Sequence, residues 1–218
     1  VPILSAFFCT FLAIVLLFLW PPVFNAIVTF GKWIVGMGPF GALIYGFFNR
    51  LLIPTGLHHA LNNVFWFDTA GINDIGKFQS GKDAVKGITG RYQAGFFPVM
   101  MFGIPAAALA MYHTAKSSQK KQVYAWFLAS SISAFFVGVT EPIEFAFMFV
   151  APVLFIIHAA LTGLSLFIAA IFHWTAGFSF SAGLIDFVLS LVNPVSNKPW
   201  MLLVQGIIFF ILYYTIFR

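Results

Sequence analysis

Long runs without a charged residue dominate this sequence. Lys, Arg, Asp and Glu are absent before Lys32, and further uncharged runs cover residues 33–49, 92–115, 122–140, 145–185 and 199–217. A helix needs about 20 mostly apolar residues to cross the hydrocarbon of a bilayer, so the longest run has room for two crossings. The pattern predicts an all-α, multi-pass integral membrane protein with about five to seven membrane segments.

Composition excludes an ordinary soluble domain. Charged residues make up 8% of the chain and hydrophobic residues 61%, whereas soluble domains have about 25% charged residues. The net charge of +5 comes from loops, chiefly an aqueous loop over residues 74–91 and a basic loop over residues 116–121. The positive-inside bias places the basic loop and Arg218 on the cytoplasmic side. We therefore interpret the charge as membrane topology and expect no nucleic-acid partner.

Proline and glycine interrupt the apolar runs at three places. The pair at residues 21–22 is expected to end or kink the first span, because proline removes a backbone donor. Residues 103–105 (GIP) and 138–142 (GVTEP) break two other apolar stretches. Irregular backbone at membrane depth is tolerated only where it is packed in protein or lines a wet cavity. The short flanking segments favour two re-entrant hairpins over simple loops between crossings.

Glu141 is the most informative polar residue. It lies between apolar stretches, and an intramembrane carboxylate usually faces a cavity or a charged partner. A carboxylate at such a site is a candidate proton acceptor. The alternative is that Glu141 caps the helix that begins near Pro142, where an acidic side chain complements the helix dipole. Glu144, one turn later, either contributes to function or holds the hairpin by hydrogen bonds.

Two adjacent histidines, His58 and His59, follow a proline-glycine segment. Neighbours on a helix point about 100° apart, so we expect one of them to face a ligand and the other to pack. No third nitrogen or sulfur ligand lies at helical spacing, and Cys9 is the only cysteine. A metal site, a disulfide and a cofactor are therefore not predicted. His158 and His173 lie in apolar runs and are expected to be packed.

Further polar groups surround the histidines in the sequence. Arg50 is either a snorkelling cation or a donor to hydroxyl or phosphate oxygens. Asn62, Asn63 and Asp68 add amide and carboxylate groups in a segment that also carries Phe65, Trp66 and Phe67. This set suits a neutral polyhydroxyl ligand whose ring stacks on aromatic side chains. An interfacial helix with aromatic anchors is the alternative for this segment.

Three ordered motifs resemble a known family. Residues 53–63 (IPTGLHHALNN), 102–107 (FGIPAA) and 138–145 (GVTEPIEF) are similar to membrane domain C of enzyme II in the bacterial phosphoenolpyruvate-dependent sugar phosphotransferase system. The resemblance is to the glucose superfamily and runs along essentially the whole chain. Residues 58–68 (HHALNNVFWFD) are most similar to the N-acetylglucosamine members.

The resemblance implies an elevator-type sugar permease of the bacterial inner membrane. Residues 1–54 are then expected to link a scaffold to the transport domain, and residues 55–218 to form that domain with the sugar site and both hairpins. The transport domain moves against a dimerising scaffold and presents the sugar 6-hydroxyl to a phosphocysteine on domain B. The implied partners are a sugar, phosphorylated domain B, a second copy of the chain and the lipid bilayer.

The resemblance also implies roles for particular residues. Glu141 and His58 match the family's glutamate and histidine near the 6-hydroxyl and are the expected catalytic residues. We expect sugar binding by Arg50, His59, Asn62, Asn63, Asp68, Gly103, Thr140 and Glu144. We expect the family's upstream membrane half, which carries much of the dimer contact, to be missing from this sequence. We also expect the phosphocysteine of domain B to be missing, because Cys9 lies in a span. As one part of a sugar phosphotransferase complex, the chain is then expected to phosphorylate no sugar by itself. A glucose-specific member and an ion-coupled, non-phosphorylating transporter are the alternatives.

Overall fold

The computed structural model describes residues 2–218, and this part of the chain is helical without any strand beyond one isolated bridge between Thr175 and Asn197. Val1, the first residue of the first predicted span, lies outside the described residues. The all-α prediction is confirmed for the described chain. The helices are α1 (Pro2–Val35), α2 (Pro39–Leu51), α3 (His58–Trp66), α4 (Asp74–Ser80), α5 (Arg91–Ala94), α6 (Ile104–Thr114), α7 (Lys120–Val137), α8 (Glu141–Val150), α9 (Pro152–Ile171), α10 (Leu184–Leu191) and α11 (Met201–Phe217).

Within residues 2–218, three helical segments are long and apolar enough to cross a membrane by length and composition: Pro2–Val35, Arg91–Thr114 and Pro152–Ile171. Met201–Phe217 is a shorter apolar helix. The count is lower than the five to seven segments that the runs predict, because some uncharged runs are divided. The run over residues 145–185, for example, holds the end of α8, all of α9 and an irregular segment before α10.

Helix α1 continues through Pro21 and Pro22, so of the two predicted effects, an end or a kink, the end is wrong. Unpaired backbone groups are costly in apolar surroundings, so the backbone hydrogen bonds on either side of the two prolines keep the helix continuous. With 34 residues, α1 is about 51 Å long at 1.5 Å per residue. Only its C-terminal end packs on the protein: Gly31 and Ile34 are buried, whereas Ile3 is 85% exposed.

The helix also continues at residues 103–105, where the sequence pattern predicts a break. Helices α5 and α6 form one continuous segment, Arg91–Thr114, that contains a π-helical turn at Pro98–Gly103. In a regular α-helix the ring of Pro105 would clash with the carbonyl group of Met101. The wider π turn just before Pro105 is a known way to relieve such a clash inside a helix. The interruption is therefore a local widening and does not reverse the chain.

The break at residues 138–142 is present. Gly138 ends α7 with a φ of 80°, and its N–H donates to the carbonyl groups of Ser133 and Ala134. This left-handed conformation suits glycine, since a side chain there is strained. Helix α8 begins at Glu141, with proline in its first turn. The turn brings the start of α8 back towards the protein interior.

Close packing of α2 against α9 positions the residues of the candidate site. A Cβ atom on Gly46 would lie 3.0 Å from the Cα atom of Gly163, and one on Gly163 would lie 2.6 Å from the carbonyl oxygen of Leu43. Only glycine permits this separation, as at other small-residue contacts between membrane helices. The C-terminal end of α2, with Asn49 and Arg50, is thereby held deep in the protein.

Candidate functional site

A cavity of about 490 Å³ lies between the end of α2, helix α3, the start of α8 and the segment over residues 179–181. Its volume falls in the range of about 300–1,000 Å³ that is usual for small-molecule sites. Its polar lining consists of Asn49, Arg50, His58, His59, Asn62, Asn63, Glu141, Ser179 and Ser181. The cavity thus collects six of the ten residues that the sequence nominates for the site.

Aromatic side chains supply much of the apolar lining. Trp66 and Phe67 line the cavity, together with Phe96 and Phe180. Phe180 is 72% exposed, whereas Phe65, which the sequence places beside Trp66 as a stacking residue, is fully buried in the core. The face of α3 that carries Phe65 packs on Tyr45 and Tyr92. No pattern in the sequence pointed to Phe96 or Phe180, because both lie outside the polar motifs.

Glu141 lies both at the start of a helix and at the wall of the cavity. It is the first residue of α8, and its Oε2 atom accepts a hydrogen bond of 3.0 Å from the backbone N–H of Thr140. The same side chain is half-buried and lines the cavity. Within the described chain no hydrogen bond to its Oε1 atom is formed, so this oxygen is available to a ligand.

Both histidines line the cavity, so the lining alone does not distinguish a ring that faces a ligand from one that packs. Their ring centroids lie 3.9 Å apart. The pair stands at the start of α3, just after Gly56 in a left-handed conformation, where the chain enters the helix at the cavity wall. Across residues 2–218 no three His, Cys, Asp or Glu side chains form a group that could hold a metal ion.

The asparagines are oriented by neighbours below the cavity. The Oδ1 atom of Asn62 accepts hydrogen bonds from the Tyr45 hydroxyl group at 2.8 Å and from the Asn49 side-chain amide. Because its acceptor atom is used in this way, the amide N–H groups of Asn62 remain for the cavity. The Oδ1 atom of Asn63 accepts a bond of 3.0 Å from Thr69 on the exposed side.

Glu144 does not line the cavity. It is fully buried, and its Oε1 atom lies 3.1 Å from Nη1 of Arg50 and 3.0 Å from Nε2 of His158. Nδ1 of His158 in turn lies 2.8 Å from the hydroxyl group of Tyr213. Four helices, α2, α8, α9 and α11, therefore meet in one buried polar cluster directly beside the cavity, with Arg50 belonging to both.

Three other nominated residues lie outside the cavity lining. Thr140 is buried, and its Oγ1 atom lies 3.5 Å from Nη1 of Arg50. Gly103 packs against the ring of Tyr213, where a Cβ atom would lie 2.9 Å from a ring carbon. Asp68 is exposed at the start of a short 3₁₀ turn, Asp68–Ala70. Gly103 thus serves helix packing, and the structure does not bring Asp68 to the cavity.

A second polar network holds the segment that carries Phe180. Asp74 accepts hydrogen bonds from the backbone N–H of Gly90 at 2.8 Å and from the side-chain amide of Gln93 at 2.9 Å. The Oε1 atom of Gln93 accepts a bond of 2.9 Å from the backbone N–H of Phe178. Burial raises the pKa of Asp74, and the two hydrogen bonds oppose this shift. The network thus fixes residues 178–181, which we call the entrance segment, to the helix that begins at Arg91.

The entrance segment is also tied to the turn before α8. The hydroxyl group of Ser181 donates a hydrogen bond of 2.8 Å to the carbonyl oxygen of Gly138. A Cβ atom on Gly138 would lie 2.7 Å from Oγ of Ser181, so glycine is needed for this close approach. Phe180 and Glu141 are therefore held at neighbouring parts of the cavity wall.

Comparisons with known proteins point to one family. A family model described as phosphotransferase system, EIIC, matches residues 1–163. The N-acetylglucosamine-specific EIICBA component of Klebsiella pneumoniae is 49% identical over 227 residues, which cover 100% of this chain and 34% of that protein. The N-acetylglucosamine-specific EIICB component of Bacillus subtilis (strain 168) is 49% identical over 221 residues, covering 100% of this chain and 48% of that protein.

A relative that is named for glucose is less similar to this chain. The glucose-specific EIICBA component of Staphylococcus carnosus (strain TM300) is 39% identical over 229 residues, covering 100% of this chain and 34% of that protein. The chain therefore spans between about a third and a half of the length of these relatives.

Proposed function

Because this chain belongs to the phosphotransferase system EIIC family, we propose that it forms the sugar-binding and translocating part of a phosphoenolpyruvate-dependent permease for N-acetylglucosamine. The observation that carries the proposal is that Glu141 and His58, far apart in sequence, line one cavity with Arg50, two asparagines and several aromatic rings. Hydrogen-bonding groups of this kind suit sugar hydroxyl groups, and the rings suit the apolar faces of a pyranose.

In this function Glu141 and His58 act near the sugar 6-hydroxyl, and Glu141 is the proton acceptor. Its Oε1 atom accepts no hydrogen bond from the part of the chain that the structure describes. A base must lie within hydrogen-bond reach of the proton that it removes. Arg50, His59, Asn62 and Asn63 bind other polar groups of the sugar. Thr140 and Glu144 support the site through Arg50.

The assembly around this chain follows from the family resemblance. Phosphorylated domain B supplies the phosphoryl group, so the chain by itself transfers none. The protein resides in a bacterial inner membrane as a multi-pass homodimer and works as an elevator. Residues 55–218 move as the transport domain, and residues 1–54 link it to a scaffold. Of the two re-entrant hairpins that the sequence predicts, we propose only the one at the turn before α8, because this turn ends α7 and Glu141 lines the cavity.

N-acetylglucosamine is favoured over glucose by sequence similarity. The relatives named for N-acetylglucosamine are 49% identical to this chain, and the glucose-specific relative is 39% identical. The experiment uses the full-length protein in proteoliposomes with labelled N-acetylglucosamine and the general phosphotransferase proteins. We expect sugar 6-phosphate to accumulate only when phosphoenolpyruvate is supplied, and unlabelled N-acetylglucosamine to compete far better than glucose.

Two results would contradict the proposal in different ways. Accumulation of unmodified sugar without phosphoenolpyruvate would indicate an ion-coupled transporter. Competition by glucose at equal or lower concentration than N-acetylglucosamine would indicate the glucose-specific alternative while leaving the phosphotransferase mechanism in place.

A further inference from the structure

A continuous chain of polar groups runs behind the cavity from Tyr213 to Arg50. The Tyr213 hydroxyl lies 2.8 Å from Nδ1 of His158, Nε2 of His158 lies 3.0 Å from Oε1 of Glu144, and the same oxygen lies 3.1 Å from Nη1 of Arg50. Tyr213, His158 and Glu144 are each 0% exposed. Buried polar groups of this kind are normally bonded to one another, and their geometry is correspondingly well defined.

The chemistry of the groups sets the direction of the hydrogen bonds. An ionised carboxylate only accepts, so Nε2 of His158 carries the proton that it donates to Glu144. In the neutral imidazole Nδ1 is then an acceptor, and it takes the proton of the Tyr213 hydroxyl. The hydroxyl lies farther, at 3.4 Å, from the backbone carbonyl oxygen of His158. Tyr213 therefore holds the imidazole in the tautomer that Glu144 needs.

Arg50 uses only one part of its guanidinium group in the protein. Its Nη1 atom serves Glu144 and Thr140, whereas Nε and Nη2 are buried without a hydrogen-bond partner among residues 2–218. The ring of Phe96 lies 5.0 Å from the guanidinium carbon and supports its face. Nε–H and the adjacent Nη2–H project in parallel from one edge of the planar group, which is the geometry for binding two oxygens at once. Arg50 lines the cavity, and this edge is the part of its guanidinium group that the described protein leaves unpaired.

We propose that Tyr213, His158 and Glu144 are positioning residues that fix the orientation of Arg50, so that its free Nε/Nη2 edge is aligned on two oxygen atoms of the sugar. The inference rests on the proposed function. A long arginine side chain without this anchor has many rotamers, and ordering it on binding weakens affinity. The buried chain orders Arg50 before the sugar arrives.

A purely structural role for the same residues has different consequences. If the chain only joined α8, α9 and α11, its loss would reduce the amount of folded protein and leave the sugar affinity of each folded molecule unchanged. If it positions Arg50, its loss lowers affinity in molecules that remain folded. Removing an interaction that is equally strong in the ground and transition states raises KM with little change in kcat.

The test compares His158→Met with His158→Gln in the full-length protein. The glutamine amide places an N–H near the position of Nε2 and retains the bond to Glu144, whereas methionine has no donor. For His158→Met we expect the KM for N-acetylglucosamine, and its Kd by calorimetry, to rise about tenfold, with kcat per folded molecule within about twofold. His158→Gln should return both constants to within about threefold of the wild-type values.

Two further variants keep the test decisive. Tyr213→Phe removes one hydroxyl group and is expected to raise KM about threefold without loss of folded protein. Phe147→Leu is the packing control, because the ring centroid of Phe147 lies 5.6 Å from that of His158 but Phe147 is not part of the polar chain. This variant should lower stability without changing KM. If His158→Met does not fold, the KM of Tyr213→Phe decides between the positioning role and the purely structural role.

Single-deoxy analogues of the sugar sharpen the result. Two of the analogues should bind about tenfold more weakly than the parent sugar to the wild type, and this penalty should shrink to about twofold in His158→Met, since coupled groups show non-additive losses. An unchanged KM in folded His158→Met and Tyr213→Phe, or equal defects in the glutamine and methionine variants, would overturn the positioning role. A wild-type protein that neither binds nor phosphorylates N-acetylglucosamine would instead overturn the proposed function.

Discussion

Helix α8 carries two glutamates one turn apart in two different environments. Glu141 is half-buried at the cavity, accepts one backbone hydrogen bond and keeps an oxygen free. Glu144 is fully buried and bonded to both Arg50 and His158. Inside a membrane protein a carboxylate must either reach a wet cavity or be paired with a partner. The two glutamates represent these two solutions, and only the first leaves the group free to react.

The histidines divide in the same way. His58 and His59 line the cavity with their rings in contact, whereas both ring nitrogens of His158 are used inside the protein. Residues of the cavity wall should therefore control activity with little effect on stability. In the buried cluster, loss of the Glu144 charge should reduce stability first, and the other members should affect sugar binding through Arg50.

The largest expected effect comes from Glu141→Gln. Loss of a general base lowers the rate by about 10²–10⁴-fold. The glutamine Oε1 atom can still accept the N–H of Thr140, so the helix start and the yield of folded protein should be unchanged. Phosphoenolpyruvate-dependent sugar phosphorylation by the full-length variant measures the effect. Activity within tenfold of wild type would show that Glu141 is not the proton acceptor.

Glu144→Gln should act mainly on stability. Removing one partner of a buried pair leaves the charge of Arg50 uncompensated and costs about 3–5 kcal/mol. Denaturant unfolding in detergent and the monodisperse fraction on gel filtration report the loss. The double variant Arg50→Met/Glu144→Met should regain most of this stability but not sugar binding, because apolar residues of similar volume replace such pairs at little cost. A stable Glu144→Gln single variant would contradict the contrast between the two glutamates.

His58→Ala is expected to reduce kcat/KM by about 10–100-fold, because a polar group of the bound sugar then loses its partner. The half-buried ring makes no hydrogen bond to the protein that its removal would break, so the melting temperature should change little. His59→Ala is the matched comparison at the same cavity wall. Equal activity of His58→Ala and wild type would remove His58 from the site.

Asp74→Asn tests the network that holds the entrance segment. The new amide N–H faces the donor amide of Gln93, so either this bond or the Gln93–Phe178 bond is lost, at about 1–3 kcal/mol. Hydrogen exchange should rise at residues 178–181, and KM should increase modestly while kcat is retained. Unaltered exchange in this segment would show that the network does not hold it.

The smallest effect is expected for Asp68→Asn. The side chain is exposed and lies outside the cavity lining, and surface substitutions usually change stability by less than about 0.5 kcal/mol. Sugar KM should stay within about twofold of wild type. A tenfold rise would place Asp68 at the sugar and extend the site beyond the cavity described here.

Local pattern was sufficient to predict membrane residence, the helical class and most of the polar residues of the cavity wall. Uncharged runs require lipid or burial, and residues 53–63 and 138–145 carry polar groups that are too costly to place there without a cavity. These polar groups and the family resemblance together nominated Arg50, His58, His59, Asn62, Asn63 and Glu141, which all line the cavity. The predicted interruptions were less reliable, because a helix in apolar surroundings continues through prolines that would end it in water.

Only the tertiary structure decided which of these groups can react. His158 and Tyr213 lie in apolar runs, where sequence offers no sign that they share one hydrogen-bond chain with Glu144. Their meeting depends on how α2, α8, α9 and α11 pack, including the approach of Gly46 to Gly163. The spacing of hydrophobic residues predicts the apolar face of each helix separately. The burial of a polar side chain and its hydrogen-bond partners depend on the distances between helices. The sequence therefore determined that the chain lies in a membrane with a polar site, and packing determined that Glu141 is free while Glu144 is bound.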